Sequence, residues 1–204
     1  MRSFAVVPAA GESRRMGRPK LLLPWGDSTV IQTVLAAWQA SRVDRVLVVV
    51  RPDDAELAEV CRRAGATVVV PGESPPEMKR SIQLALHEIH HRHAPTDADA
   101  WLLAPADMPR LSTTIINRLI AEHVDALRDE RAEPAILLPI VGQERGHPVL
   151  FPWSLARQVD QLGEHEGVNA LRDRNPVRRI AVDSTESFAD IDTPEDYRRL
   201  HAPQ

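Results

Sequence analysis

Val46-Leu47-Val48-Val49-Val50 is apolar at every position, so nothing in it marks one wet and one dry face. A short run of branched aliphatic side chains without alternation fits a strand covered on both sides, as in a parallel sheet flanked by helices. Around it, strand-like runs recur at residues 3–7, 43–50, 66–70, 100–104, 135–140, 149–151 and 177–182, with stretches of helical period between most of them. This alternation predicts an α/β fold: a three-layer α/β/α sandwich on a mostly parallel, mixed sheet. A right-handed succession of βαβ units would put the strands' carboxyl ends on one edge. Ligands bind at that edge in open α/β sheets. The loops after Val7, Val70, Ala104 and Ile140 are therefore expected to line one cleft.

Local signals set several boundaries. Asp53 with Glu56 three residues on reads as a capping box, Ser112 precedes a helix predicted over 113–127, and Thr193 caps a helix whose first position is Pro194. Residues 71–77 and 94–99 read as loops from their Pro, Ser and Asp content.

Length and composition narrow the class. The 204 residues suit one domain, 1–204, able to bury a core without disulfides or a structural metal. The single cysteine, Cys61, cannot form an intramolecular disulfide and reads as a small packed residue. No apolar run approaches the ~20 residues of a membrane helix, and the N-terminal run is broken by Pro8. The expectation is a cytoplasmic, unprocessed protein with no membrane partner. A net charge of -4 gives no global basic field, and aromatics are scarce, which argues against nucleic acid as a partner.

The chain's first chemistry lies in Phe4-Ala5-Val6-Val7 running into Pro8-Ala9-Ala10-Gly11-Glu12-Ser13-Arg14-Arg15-Met16-Gly17-Arg18-Pro19-Lys20. Small residues let backbone N–H groups approach an anion, and Arg14, Arg15, Arg18 and Lys20 add positive charge, so the loop reads as a nucleoside triphosphate cradle. Gly11 and Gly17 do not fit the Walker spacing, and Leu rather than Ser or Thr follows Lys20. The three-glycine dinucleotide fingerprint is missing too. Arg14 and Arg18 read as the solvated pair of the four cations, and Arg15 and Lys20 as the phosphate-facing pair.

Ala9-Ala10-Gly11-x-Ser13-x-Arg15-Met16-Gly17-x-x-Lys20-Leu21-Leu22-Leu23-Pro24 resembles the signature loop of the MobA/MocA-like nucleotidyltransferases, which attach CMP or GMP to molybdopterin. The likeness continues at Pro105-Ala106-Asp107-Met108-Pro109, at Gly146-His147-Pro148-Val149-Leu150-Phe151 and at Asp190-Ile191-Asp192-Thr193-Pro194-Glu195-Asp196-Tyr197. The resemblance implies a Rossmann-like nucleotidyltransferase fold, with a nucleotide-binding part over about 1–110 and an acceptor-binding part over about 111–204. It implies Mg²⁺-dependent transfer from an NTP to a molybdopterin-type acceptor, releasing pyrophosphate. A molybdenum hydroxylase is a candidate recipient of the product.

Carried onto this chain, the resemblance makes Ala9, Ala10, Gly11, Ser13, Arg15, Gly17, Lys20, Gly72 and Ser81 nucleotide-binding residues, with Lys20, Arg15 and Asp107 catalytic. Asp107 and one of Asp190 and Asp192 would hold the metal. Asp190 is the expected direct ligand by analogy with the wider nucleotidyltransferase group, while Asp192 would fix the turn into the last helix. His147, Pro148 and Asn169 would meet the acceptor. Ala10 favours CTP, since guanylyltransferases of the family more often carry Ala-Gly-Gly here.

Two places depart from the family pattern. Glu77-Met78-Lys79-Arg80-Ser81 replaces a Gly-Met-Ser-Ser-Ser-like run. Asn169 stands where many relatives carry the Arg of Gly-Asp-x-Gly-Ala-Arg. The alternative readings are a sugar- or alditol-phosphate nucleotidyltransferase and a non-catalytic maturation factor for a molybdenum enzyme. Outside the motifs, His87, His90 and His91 share a helix face but read as solvent-facing groups at a helix C-terminus. Trp25 and Trp153 read as packing residues.

Overall fold

The computed structural model describes residues 1–129 and 131–201; the side chain of Arg14, expected above to be solvated, lies outside what is described. The chain runs β1 (Ser3–Pro8), two 3₁₀ turns (Arg14–Met16 and Lys20–Leu22), a small hairpin of β2 (Pro24–Trp25) and β3 (Ser28–Thr29), then α1 (Val30–Gln39), β4 (Arg45–Val49), α2 (Ala55–Arg63) and β5 (Thr67–Val69). The middle follows as α3 (Met78–His93), β6 (Ala100–Leu103), α4 (Thr113–Arg128), β7 (Ile136–Val141), β8 (Glu144–Arg145) and β9 (Val149–Pro152). The remainder is α5 (Ala156–Asp160), α6 (Leu171–Arg174), β10 (Val177–Ala181) and α7 (Pro194–His201).

The main sheet has the order β10-β7-β9-β6-β1-β4-β5, with β8 added to β7. β4 and β6 both pair parallel with β1, and β5 continues parallel beyond β4. β9 runs antiparallel between β6 and β7, and β10 returns parallel to β7. All seven expected strands are present. The three unforeseen ones, β2, β3 and β8, are two residues each, too short to carry a period.

Strand alternation sorts the core onto two faces. Ala5, Val7, Val46, Val48, Val50 and Leu102 face one cluster with Val34, Leu57, Ile116 and Leu200, from α1, α2, α4 and α7. Phe4, Val6, Leu47, Val49, Trp101 and Leu103 face the other with Ile82, Val159 and Leu171, from α3, α5 and α6. Three layers result, and the opening run is dry on both sides because helices cover both. Where β6 meets β9, Trp101 stacks on its register partner Phe151 with ring centroids 4.1 Å apart, an aromatic pair worth about 0.5–1.5 kcal/mol beyond its buried area.

The caps behave mostly as expected. Ser112 Oγ accepts from Ile115 N, and Thr193 Oγ1 and Asp196 cap α7 reciprocally. The α2 cap is a correction: Asp54, not Asp53, accepts from Leu57 N, and Asp53 instead pairs with Arg51 at 3.4 Å. Helix α2 starts one residue later than the box implied, so its third position is Leu57 rather than Glu56.

Trp25 packs against Tyr197 and His201, and Trp153 against Phe4, as expected of packing residues. Cys61 is fully buried. His87, on the solvent side of α3, meets Asp160 of α5 at 3.0 Å. Among the described residues no helix is long and apolar enough to cross a membrane.

Candidate functional site

The site is built at the carboxyl edge of the central parallel strands. β1 delivers the chain into a loop whose Ala9 N donates to Val49 O of the neighbouring strand, so its first residues continue the sheet. At Gly17 the backbone turns back with φ +64°, a conformation that side chains resist. Ser13 adopts φ +50° and accepts from Lys20 N through its hydroxyl at 3.3 Å. Its role here is therefore to shape the loop. A Cβ at Gly11 would meet nothing within 4 Å, leaving open space beside the backbone.

Lys20 is where distant segments converge. Its ammonium hydrogen-bonds Asp107 Oδ2, donates to the Ile191 carbonyl at 3.0 Å and reaches Asp192 Oδ1 at 3.3 Å. Ile191 N in turn donates to Asp107 O at 3.0 Å, tying the loop after β6 to the approach to α7. Burial draws the Lys20 pKa down, but the charges and hydrogen bonds of Asp107 and Asp192 outweigh it and hold the ammonium above its usual value. Asp192 also meets Arg15 Nη1 at 3.1 Å.

These groups border a cavity of about 570 Å³ lined by Ala9, Ala10, Gly11, Lys20, Ser81, Asp107 and Asp192, with Ser74 to Met78 closing the far wall. Ser13 and Gly17 line an adjoining cavity of about 280 Å³ that shares Gly11 and Lys20. Gly72 borders neither. The loops after β1, β5 and β6 line the cleft as expected; the loop after β7 does not, and Arg51, just past β4, takes a place in both cavities. Arg18, expected to be solvated, lines the second cavity with its guanidinium 5.8 Å from the Tyr197 ring centre, whereas Arg15, expected to face the phosphates, lines neither cavity.

Of the two carboxylates, the structure brings Asp192 to the cavity rather than Asp190, the expected direct ligand, and Ile191 between them is fully buried. Asp192 lines the cavity. Asp190 does not, yet its carboxyl is held above the usual range by burial and by the charges of both Asp107 and Asp192.

The donor set suits a hard divalent cation. Asp107 Oδ1 is buried without a hydrogen-bond partner among the described residues, while its other oxygen and Asp192 already share one ammonium. No set of three His, Cys, Asp or Glu among the described residues could hold a metal on its own. One or two carboxylates with water and phosphate completing the shell is the usual arrangement for Mg²⁺.

Of the residues expected to meet the acceptor, His147 has its Nδ1 3.2 Å from Leu103 O, and burial holds its imidazole below the usual pKa. Pro148 is buried beside it and Asn169 is exposed. Gly146 is pressed on Phe188, whose ring a Cβ would approach to 1.9 Å. Sequence reasoning gave no role to Lys79, which is 9% exposed and donates to Gly163 O at 2.7 Å and Glu164 O at 2.9 Å while meeting Glu77 at 3.2 Å. It bolts the loop at residues 163–164 to the start of α3. The signal was present, since Lys79 falls on the stripe of Ile82, Leu86 and Ile89.

The MobA-like NTP transferase domain matches this chain over residues 5–179. The chain belongs to that family. Among MobA-like relatives, a probable molybdenum cofactor guanylyltransferase of Mycobacterium avium is 30% identical over 98% of this chain and 95% of its own length. The molybdenum cofactor cytidylyltransferase of Escherichia coli is 24% identical over 94% and 92%. In three dimensions, Rv0371c of Mycobacterium tuberculosis superposes over the whole of both chains with a TM-score of 0.80 at 28% identity. A structure of that protein in complex with manganese gives a TM-score of 0.74 at 27% identity, covering 98% of each chain. As a MobA-like NTP transferase, the chain is a nucleotidyltransferase on the Rossmann-like fold of that class.

Proposed function

We propose that this transferase moves a nucleotidyl group from an NTP, CTP in preference to GTP, onto the phosphate of a molybdopterin-type acceptor and releases pyrophosphate. The observation that carries the reading is the meeting of Lys20 with Asp107 and Asp192 at the wall of a cavity whose other wall is the Ala9-Ala10-Gly11 loop. The names of the mycobacterial and Escherichia coli relatives support the acceptor. The chain works as one domain, in which residues 1–110 supply most of the nucleotide site and residues 111–204 the acceptor side and one metal carboxylate.

Asp107 and Asp192, with Asp190 beside them, would hold Mg²⁺, which when bound screens the triphosphate and draws charge from the phosphoryl oxygens undergoing attack. The manganese-bound relative supports a divalent ion. Backbone N–H groups of Ala9, Ala10 and Gly11, with Ser13 and Gly17 shaping the turn, cradle the phosphates. Ser81 flanks the nucleoside from the cavity wall, and Gly72, outside both cavities, opens the loop that brings Ser74 to Met78 to that wall. Lys20, released from Asp107 by the arriving substrate, neutralises charge growing on the α-phosphoryl group, and Arg15 receives the leaving pyrophosphate. His147, Pro148 and Asn169 border the acceptor. Ala10, which lines the cavity at 9% exposure, narrows the room beside the base and favours the smaller pyrimidine. One methyl group is worth about 1–3 kcal/mol of such discrimination.

Melting temperature measured with CTP, GTP, ATP and UTP in Mg²⁺ tests the nucleotide. A ligand at 100 times its Kd stabilises by about 2.7 kcal/mol, and CTP should give the largest shift. Pyrophosphate release with CTP and molybdopterin tests the reaction; binding without release would leave a maturation factor as the better reading.

A further inference from the structure

The proposed reaction poses an electrostatic problem on the acceptor side. A phosphate monoester carrying about two negative charges must approach a triphosphate beside Asp107, Asp190 and Asp192. Lys20 and Arg15 already face these carboxylates from the nucleotide side, so the incoming phosphate needs cations of its own.

We propose that Arg145 and Arg172 form a clamp for the nucleophilic phosphate of the acceptor; the proposal rests on the nucleotidyl-transfer reading above. Sheet geometry places Arg145. It pairs directly with Ile140 across β7 and β8, and directly opposed residues of an antiparallel pair project to the same face. On β7 that face carries Ile136 and Leu138, which belong to the cluster on the α3, α5 and α6 side. Arg145 thus stands on that side, two residues ahead of His147.

Arg172 comes to the same face from another element. It follows fully buried Leu171 of the same cluster, to which Ile140 and Ala170 are also packed. It is part-buried, and it lies one helical turn beyond Asn169. A guanidinium one turn on from the family's usual Arg position is what the departure at Asn169 leaves available.

Neither arginine forms an ion pair or side-chain hydrogen bond among the described residues, whereas Arg2, Arg15, Arg51, Arg174, Arg178 and others do. Burial, and then the charge of Arg145, hold the Arg172 guanidinium below its usual pKa, and Asp173 offsets only part of this. The charge of Arg172 also reaches His147, as do those of Asp107 and Asp190. Two cations on one face of the sheet, flanking His147 and without an ion pair of their own among the described residues, form a receptor for a dianion. A planar fork on each side of one phosphate suits arginine better than lysine.

In the transfer step an oxygen of the clamped phosphate forms a new bond to the α-phosphorus, and the bond from that phosphorus to the β-phosphate oxygen breaks. Pyrophosphate carries off the electron pair. No proton, oxidant or covalent enzyme intermediate enters the balance.

The test is equilibrium binding of molybdopterin and of its dephosphorylated form to the full-length wild type and to Arg145→Ala, Arg172→Ala and the double variant, with CTP binding as the check that each variant is folded. Loss of a hydrogen-bonded charge should weaken molybdopterin binding by about tenfold to a hundredfold in the double variant. Affinity for the dephosphorylated form should not change, and Arg172→Lys should recover part of the loss. Wild-type affinity in the double variant would overturn the clamp, as would equal losses for both ligands or a wild type that binds neither. Pyrophosphate release is scored separately. A wild type that binds the acceptor through the arginines yet releases none keeps the clamp and removes the transfer reading. Turnover with an unchanged acceptor KM in the double variant does the reverse.

Discussion

Asp107 is the part-buried carboxylate that Lys20 meets together with Asp192. It follows β6, offers one oxygen to Lys20 and keeps the other unpartnered and buried. Replacing it with Ala removes a carboxylate without opening the hydrophobic core, so kcat should fall by about 10²–10³ or more while the melting temperature without ligand holds or rises. Turnover within tenfold of wild type would remove Asp107 from the mechanism. Cys61 is the contrasting residue. Burial, and after it the charge of Asp54, push its thiol up to about 12, so it stays protonated near neutral pH. A thiol reagent should leave the native protein unmodified and label one site per chain once denaturant is added. Both residues stood out in the sequence, Asp107 by its Pro-flanked place after a buried strand and Cys61 by having no partner. Lys79 did not, because a lysine on an apolar stripe becomes intelligible only when the carbonyls of Gly163 and Glu164 are seen around it.

Among the elements, the β8–β9 turn is the most tightly seated, because Gly146 leaves no room beside Phe188. Gly146→Ala should force that ring aside, at a cost of about 1–3 kcal/mol, and disturb the 183–192 segment that leads to Asp190 and Asp192. The double variant Gly146→Ala, Phe188→Ala should recover Mg²⁺-dependent turnover better than stability; recovery of neither would separate this contact from the site. Helix α7 depends on pH through its cap. Hydrogen bonds from Arg199 and the Thr193 hydroxyl hold Asp196 down to about 2, against an ordinary value near 3.8. A carboxyl with a depressed folded-state pKa stabilises fully above its unfolded value and loses that contribution as pH falls through the folded one. The loss should therefore fall between about pH 4 and pH 2. Melting temperatures across pH 5 to 2 should show a shallower decline in this window for Asp196→Asn than for wild type. The α7 cap was readable because Thr193, Pro194 and Asp196 are neighbours in sequence. The α2 cap was misplaced by one residue because Asp53 and Asp54 both fit the pattern and only the packing of Leu57 chooses between them.

Across the molecule, the site joins the chain's two ends over the middle of the sheet: Lys20 to Asp192 spans 172 positions. Stability near the C-terminus should therefore be felt at Asp192, the proposed metal carboxylate. Leu200→Ala in α7 and Leu119→Ala in α4 each remove a buried side chain of the same cluster, and each should cost about 2–5 kcal/mol. Only Leu200→Ala should also raise the Mg²⁺ concentration for half-maximal activity. Equal Mg²⁺ requirements in the two variants would mean that α7 does not position Asp192. The layer order and the seven principal strands were legible because hydrophobic period and β-branched runs are local properties written into consecutive residues. The glycine- and cation-rich loop after β1 could be picked out for the same reason, its glycines and cations lying within a dozen positions. Tertiary structure alone decided that Asp192 rather than Asp190 lines the cavity, that Lys20 meets both Asp107 and Asp192, and that Arg51 rather than the loop after β7 completes the cleft. Those facts depend on strand order and on which helix covers which side, and contacts between segments far apart in the chain leave no period in the sequence to read.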